Sequence, residues 1–310
     1  MTRLGLLNFG LRNIARPFMA RNQTPQKAES DFVHAARLFR KPKGMTFSTK
    51  VHQLSGPNRQ LPMSCITLGE VDETGVILFF HGGGYVAGSA HTHRGMLAQL
   101  SRFAGVPVQS PDYRLAHYAH APAAFNDGLA AWKILREHKN LAADQIVLGG
   151  DSAGGGLALA LLAHLLETGE KPAGLIGMSP WTDLTLTGES LKTNEAKDII
   201  LPAARMDELC EIVLGDTDPG DPRISPLFAN FINPPPVYIQ ASETEILFDD
   251  ARRMADVLRA AGGEATLDLW SDAPHVWQIF DGWIPEARDA LRKAGAFAKT
   301  CLSRQSQGEN

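Results

Sequence analysis

The 310-residue chain is short of cysteine, of long apolar runs and of net charge, and each shortage closes off a class of function. Its three cysteines, Cys65, Cys210 and Cys301, lie far apart with no CxxC pair. That argues against a disulfide framework or zinc knuckle and for a reducing cytoplasm. No apolar stretch reaches the roughly 18–20 residues a membrane helix requires. A formal charge of −4 gives no general attraction to nucleic acid. The N-terminal stretch through Gln23 has no acidic side chain, no long apolar core and no cleavage site, so a secretory signal is not expected. It is amphipathic, with Leu4, Leu6, Leu7, Phe9, Leu11 and Ile14 interleaved with Arg3, Arg12, Arg16 and Arg21. The expectation is a helix packing its apolar face on the protein's own surface, rather than a membrane-surface or targeting segment.

What is present is the composition of a soluble globular enzyme, 44% hydrophobic and 21% charged. The length slightly exceeds one compact core, implying a large domain with an accessory element. Strand patterns fall at 47–54, 61–68, 75–80, 106–110, 145–149, 173–178, 236–240 and 265–270. Helical patterns follow at 93–104, 122–138, 153–168, 247–262 and 284–303. This alternation predicts an α/β protein with a mostly parallel eight-stranded sheet and helices on both faces, after an antiparallel start. Residues 183–233 break the rhythm and read as a lid. The predicted organisation is a catalytic domain over 46–182 and 234–303, a cap from 1–45 and 183–233, and a disordered tail at 304–310.

Gly150-Asp-Ser-Ala-Gly154 fits G-x-S-x-G between the strand Ile146–Leu148 and an apolar helix. Ser152 then sits on a sharp strand-to-helix turn, its hydroxyl exposed as a nucleophile. A phosphate loop would need a lysine after the glycines, and none follows. His81-Gly82-Gly83-Gly84 comes directly after the apolar strand Val76–Phe80. Three glycines there weaken regular structure by about 0.5–1 kcal/mol each. They make sense where backbone N–H groups must approach an oxyanion. His275 is the only histidine after His164, which makes it the candidate base. The acid falls among Glu243, Glu245, Asp249 and Asp250. Such a set performs acyl transfer with no metal or organic cofactor.

With Ser179-Pro-Trp-Thr-Asp-Leu184, Asp221-Pro-Arg-Ile-Ser-Pro226 and Pro274-His275, these motifs resemble the hormone-sensitive-lipase-like family of α/β-hydrolases, in its bacterial GDSAG subgroup. The resemblance runs from about residue 70 to 280. It implies an α/β-hydrolase fold with a helical cap and a serine carboxylesterase acting on a small-molecule ester. It also implies a Ser152–His275–Glu245 triad, with Glu245 standing where the family usually has Asp and with Glu243 and Asp249 as fallbacks. Oxyanion donors would be Gly83, Gly84 and Ala153, supported by His81 and Gly82, and relatives dimerise through the last strand, here about 265–270. One departure is Arg114-Leu-Ala-His-Tyr-Ala-His-Ala-Pro122, where His117 and Tyr118 replace a Pro and a Glu. Tyr85, Trp181, Phe228 and Trp277 are candidate pocket residues, though each alone reads as core. His91 and His93 read as a solvated helix start. Short- to medium-chain esters are the expected substrates. Lactone, carbamate or amide hydrolysis by the same triad is the alternative, as is a non-catalytic ligand-binding relative.

Overall fold

Every side chain from Val76 to Phe80 is buried, because helices cover this strand on both faces. Alternation then sends Leu78 and Phe80 into one apolar cluster and Ile77 and Phe79 into another. Fully burying each of these side chains is worth about 1.5–3 kcal/mol, and the sheet is built around them. The computed structural model describes residues 2–21, 24–55 and 59–305.

The chain opens with α1 (Arg3–Gly10), a π-helical turn (Leu11–Ala15), α2 (Arg16–Met19) and α3 (Pro25–Ala35). Eight strands follow: β1 (Met45–Gln53), β2 (Gln60–Leu68), β3 (Val76–Phe80), β4 (Val108–Pro111), β5 (Ile146–Asp151), β6 (Gly174–Met178), β7 (Val237–Ser242) and β8 (Ala265–Trp270). They form one sheet in the order β1-β2-β4-β3-β5-β6-β7-β8. β1–β2 and β2–β4 pair antiparallel, and the remaining pairs are parallel. Between and after the strands come α4 (Ala90–Ala104), α5 (Ala123–Lys133), α6 (Ala153–Glu167), α7 (Ser190–Thr193), α8 (Met206–Leu214), α9 (Phe248–Ala260) and α10 (Pro285–Gln305). α5, α6 and α9 pack on the face of Leu78 and Phe80, and α4 and α10 on that of Ile77 and Phe79. This is an α/β architecture, one mostly parallel eight-stranded sheet flanked by helices, and β8 is an edge strand.

Each strand lies within about three residues of its sequence-based span. α4 starts three residues before the pattern suggested, since Ser89 caps it. Ser89 Oγ accepts the Thr92 N–H while Thr92 Oγ1 accepts the Ser89 N–H. The tail expected from residue 304 begins inside α10, and 306–310 lie outside the described residues. Residues 183–233 hold α7, α8 and two short 3₁₀ turns at Ala203–Arg205 and Pro226–Phe228. Among the described residues no helix is long and apolar enough to cross a membrane.

Candidate active site

β5 delivers Ser152 to the carboxyl end of the sheet, where β5 runs into α6. Its backbone is left-handed (φ 52°, ψ −123°), a conformation costing about 1–3 kcal/mol. The surroundings hold it there: the Ser152 N–H donates to Met178 O (2.8 Å), and its carbonyl accepts from the Trp181 N–H (3.0 Å). A side chain at Gly154 would overlap the Phe80 carbonyl, and one at Gly150 the Gly154 carbonyl. The two glycines therefore let α6 close onto the strand ends.

His275 meets Ser152 from the loop after β8. Its Nε2 lies 2.9 Å from Ser152 Oγ, and its Nδ1 lies 2.6 Å from Glu245 Oε2. A carboxylate accepts only, so Nδ1 carries a proton and Nε2 is left to accept from the hydroxyl. Glu245 is almost wholly buried, and its other oxygen accepts from the Ser242 N–H (2.7 Å) and the Ser179 hydroxyl (2.8 Å). Burial works against a charge on His275, but Glu245, helped by Asp198 and Asp151, outweighs it and raises the pKa above the usual 6.5.

The three neighbouring carboxylates point elsewhere. Glu243 is exposed. Asp249 accepts from the Ser190 N–H and pairs with Arg252. Asp250 Oδ1 accepts the N–H groups of Thr182 (2.7 Å) and Asp183 (2.9 Å). Sequence reading missed the groups that fix the Glu245 loop from the 183–233 segment. Asn194 Nδ2 donates to the carbonyls of Glu243 and Glu245, both at 2.9 Å. Buried Asp198 accepts from the N–H groups of Ile246, Ile200 and Leu201, each at 2.8 Å. Asn194 and Asp198 carry no local motif that would have marked them, and the motif that begins at Ser179 does not point to its hydroxyl as a partner of the acid.

Burial, opposed by its backbone donors and reinforced by nearby Asp183, lifts Asp250 from 3.8 to about 7. A carboxyl raised on folding contributes stability that is fully present below its unfolded value and is lost as pH rises through the folded one. The window therefore runs from about pH 4 to about pH 7. Asp250→Asn keeps the Oδ1 acceptor and removes the titration. Thermal melts across that window are expected to show a smaller fall in Tm with rising pH for the variant than for the parent. Parallel curves would show that Asp250 does not titrate there.

The glycine loop follows β3, which pairs with β5 so that Phe80 lies opposite Gly150. Asp151 Oδ1 accepts the Gly82 N–H at 3.0 Å and so ties the loop to the turn that carries Ser152. Gly83 has φ +117°, and a side chain there would overlap the Ala87 carbonyl. Among the described residues Gly83, Gly84 and Ala153 donate their N–H groups to no other group of the chain. His81 is buried, stacks on Tyr113 at 4.2 Å and donates from Nδ1 to Gly82 O. Burial and neighbouring His93 push its pKa down to about 3, so it is neutral.

His93 corrects the sequence reading: His91 is exposed, as a helix start should be, but His93 is buried with Nε2 3.4 Å from Asp151 Oδ2. The earlier start of α4 turns it inward. Burial opposes its charge, yet Asp151 wins and the pKa is raised. The candidate pocket residues divide. Tyr85 and Trp181 pack against each other beside Gly156 on α6, their rings 6.2 Å apart. Phe228 is 46% exposed on the 183–233 segment. Trp277 packs on Trp270 in the cluster on the opposite face of the sheet from Tyr85 and Trp181, so it is a core residue. His117 reaches α3 of the N-terminal segment, with Nε2 2.9 Å from Glu29 Oε2. Among the described residues no group of three or more His, Cys, Asp or Glu side chains is placed to hold a metal.

A strained strand-to-helix turn carrying Ser152 at the end of a central parallel strand, with a glycine loop on the neighbouring strand, defines the class, and a family model for the alpha/beta hydrolase fold matches residues 77–279. An acetyl-hydrolase of Streptomyces hygroscopicus is 37% identical over 225 residues, covering 72% of this chain and 75% of that protein. An esterase of Acinetobacter venetianus is 35% identical over 231 residues, covering 74% and 76%. The crystal structure of an esterase from the bacterial hormone-sensitive lipase family superposes with a TM-score of 0.88 at 34% identity, covering 97% of this chain and 98% of that one. The chain belongs to the alpha/beta hydrolases and, within them, to the hormone-sensitive-lipase-like esterases. Its class is that of carboxylic ester hydrolases.

Proposed function

We propose that the chain hydrolyses short- to medium-chain carboxylic esters through an acyl-enzyme on Ser152. One observation carries this reading: His275 spans Ser152 and Glu245 with one ring nitrogen to each. His275 takes the Ser152 proton on Nε2 as Oγ attacks the ester carbonyl. Glu245 keeps the ring oriented and stabilises the imidazolium that forms. The N–H groups of Gly83, Gly84 and Ala153 receive the oxyanion, each donor contributing about 10²–10³ in rate. His275 then protonates the leaving alcohol. Water, deprotonated by the same nitrogen, releases the acid. Residues 183–233 and the N-terminal segment act as the cap over this site, the former holding the Glu245 loop through Asn194 and Asp198.

A series of p-nitrophenyl esters from acetate to decanoate checks the proposal. Turnover is expected to be greatest on the shorter chains and absent in Ser152→Ala. No Ser152-dependent turnover on any ester would overturn it.

A further inference from the structure

The N-terminal segment has two apolar sides, and the protein covers only one of them. Leu4, Leu7 and Leu11 pack inward against the apolar cluster of α4 and α10. Phe9 and Ile14 face outward, 61% and 74% exposed, with Leu6 and Met19 also uncovered. More than half of the large apolar side chains exposed among the described residues fall between Leu6 and Leu38. Singly exposed apolar residues are ordinary, but a cluster on one surface marks an interaction site.

Charge says what that site meets. Residues 1–43 carry nine Lys or Arg and two acidic side chains, a net +7, while the whole chain is −4. The other residues therefore carry −11, so the N-terminal segment is the basic part of an otherwise acidic chain. Arg3, Arg12, Arg21 and Lys27 are exposed on or beside that face. Residues 3–21 carry four arginines and no acidic side chain, so a two-fold dimer through them would set +4 against +4. Apolar side chains ringed by Arg and Lys on a surface helix are the composition that seats a helix in an anionic lipid interface.

The segment is also tied to the candidate site. Asn8 Nδ2 donates to the carbonyl of Asp272, three residues before His275, at 2.8 Å. Arg12 and Arg16 donate to the carbonyls of Lys197 and Glu195, which flank the residues that hold the Glu245 loop. We propose that the outer face of residues 3–21 docks this protein on an anionic lipid surface and presents the Ser152 site to it.

Binding is read without catalysis, so the test stands apart from the ester-hydrolase reading. Ser152→Ala protein is sedimented with vesicles of phosphatidylcholine, with and without phosphatidylglycerol. Capture is expected on the anionic vesicles and to fall with added salt. Phe9→Asp with Ile14→Asp is expected to lower it at least about tenfold, with circular dichroism and Tm unchanged because both side chains are exposed. No capture, equal capture on neutral vesicles, or equal capture of the double variant would overturn the proposal. So would self-association in sedimentation velocity that the same substitutions abolish, which would make a second copy the occupant.

Discussion

Ser152→Ala and His275→Ala are each expected to lower kcat on p-nitrophenyl butyrate by about a millionfold, and the double variant by no more than either alone. The equality follows from the geometry. The 2.9 Å contact between Oγ and Nε2 makes the two side chains one device: without the base the hydroxyl stays protonated, and without the hydroxyl the base has nothing to activate. Residual rate would come from the N–H groups and binding alone, on the order of 10³–10⁴ over water. Losses that multiply in the double variant would show two independent contributions and would sink the acyl-enzyme scheme. A loss of less than about tenfold in Ser152→Ala would remove Ser152 from the chemistry.

The second large effect is at Glu245. Its Oε1 accepts from the Ser242 N–H and the Ser179 hydroxyl. In Glu245→Gln the amide oxygen belongs at those two donors, which turns the amide NH₂ toward His275 Nδ1. A donor facing Nδ1 forces the proton onto Nε2, the tautomer that cannot accept from Ser152. kcat is expected to fall by about 10⁴. The carboxylate is also the main group that raises the His275 pKa. The acid limb of kcat/KM reports His275, whose pKa this carboxylate raises above 6.5, so the limb is expected to move to lower pH in the variant. Glu243→Gln leaves both untouched because Glu243 is exposed. If Glu243→Gln or Asp249→Asn reproduces the loss and Glu245→Gln does not, the acid has been misassigned.

The strands were legible because each is a short apolar or alternating run between turn residues, and burial follows that pattern directly. Ser152 and His275 were legible for a different reason: one has a local motif and the other no competitor in its half of the chain. Glu245 was not separable from Glu243, Asp249 and Asp250 by local pattern, since all four lie on one short loop and helix start. What distinguishes them is their partners, and those partners lie elsewhere in the chain: Ser179, 66 residues before Glu245 in sequence, and Thr182 and Asp183 at the end of the β6 loop. Family resemblance pointed to Glu245 where physics alone left four options. His93 was misread because an exposed-looking His-Thr-His carries no sign of the helix cap that starts α4 early. Asn194 and Asp198 sit in a polar stretch whose pattern predicts nothing, and only the folded chain brings them beneath the acid loop.

The bond between Asp151 and the Gly82 N–H joins residues 69 apart in sequence. It sets the spacing between the hydroxyl that attacks and the loop that faces it by a single carboxylate, held from behind by His93. Between those two points His93 braces the carboxylate and Tyr113 stacks on His81, so the spacing rests on these side chains as well. A lineage or a designer that reworks the intervening chain for new partners or tougher packing then has to keep the glycine loop, His93 and Tyr113 if the distance between that loop and Ser152 is to be inherited intact.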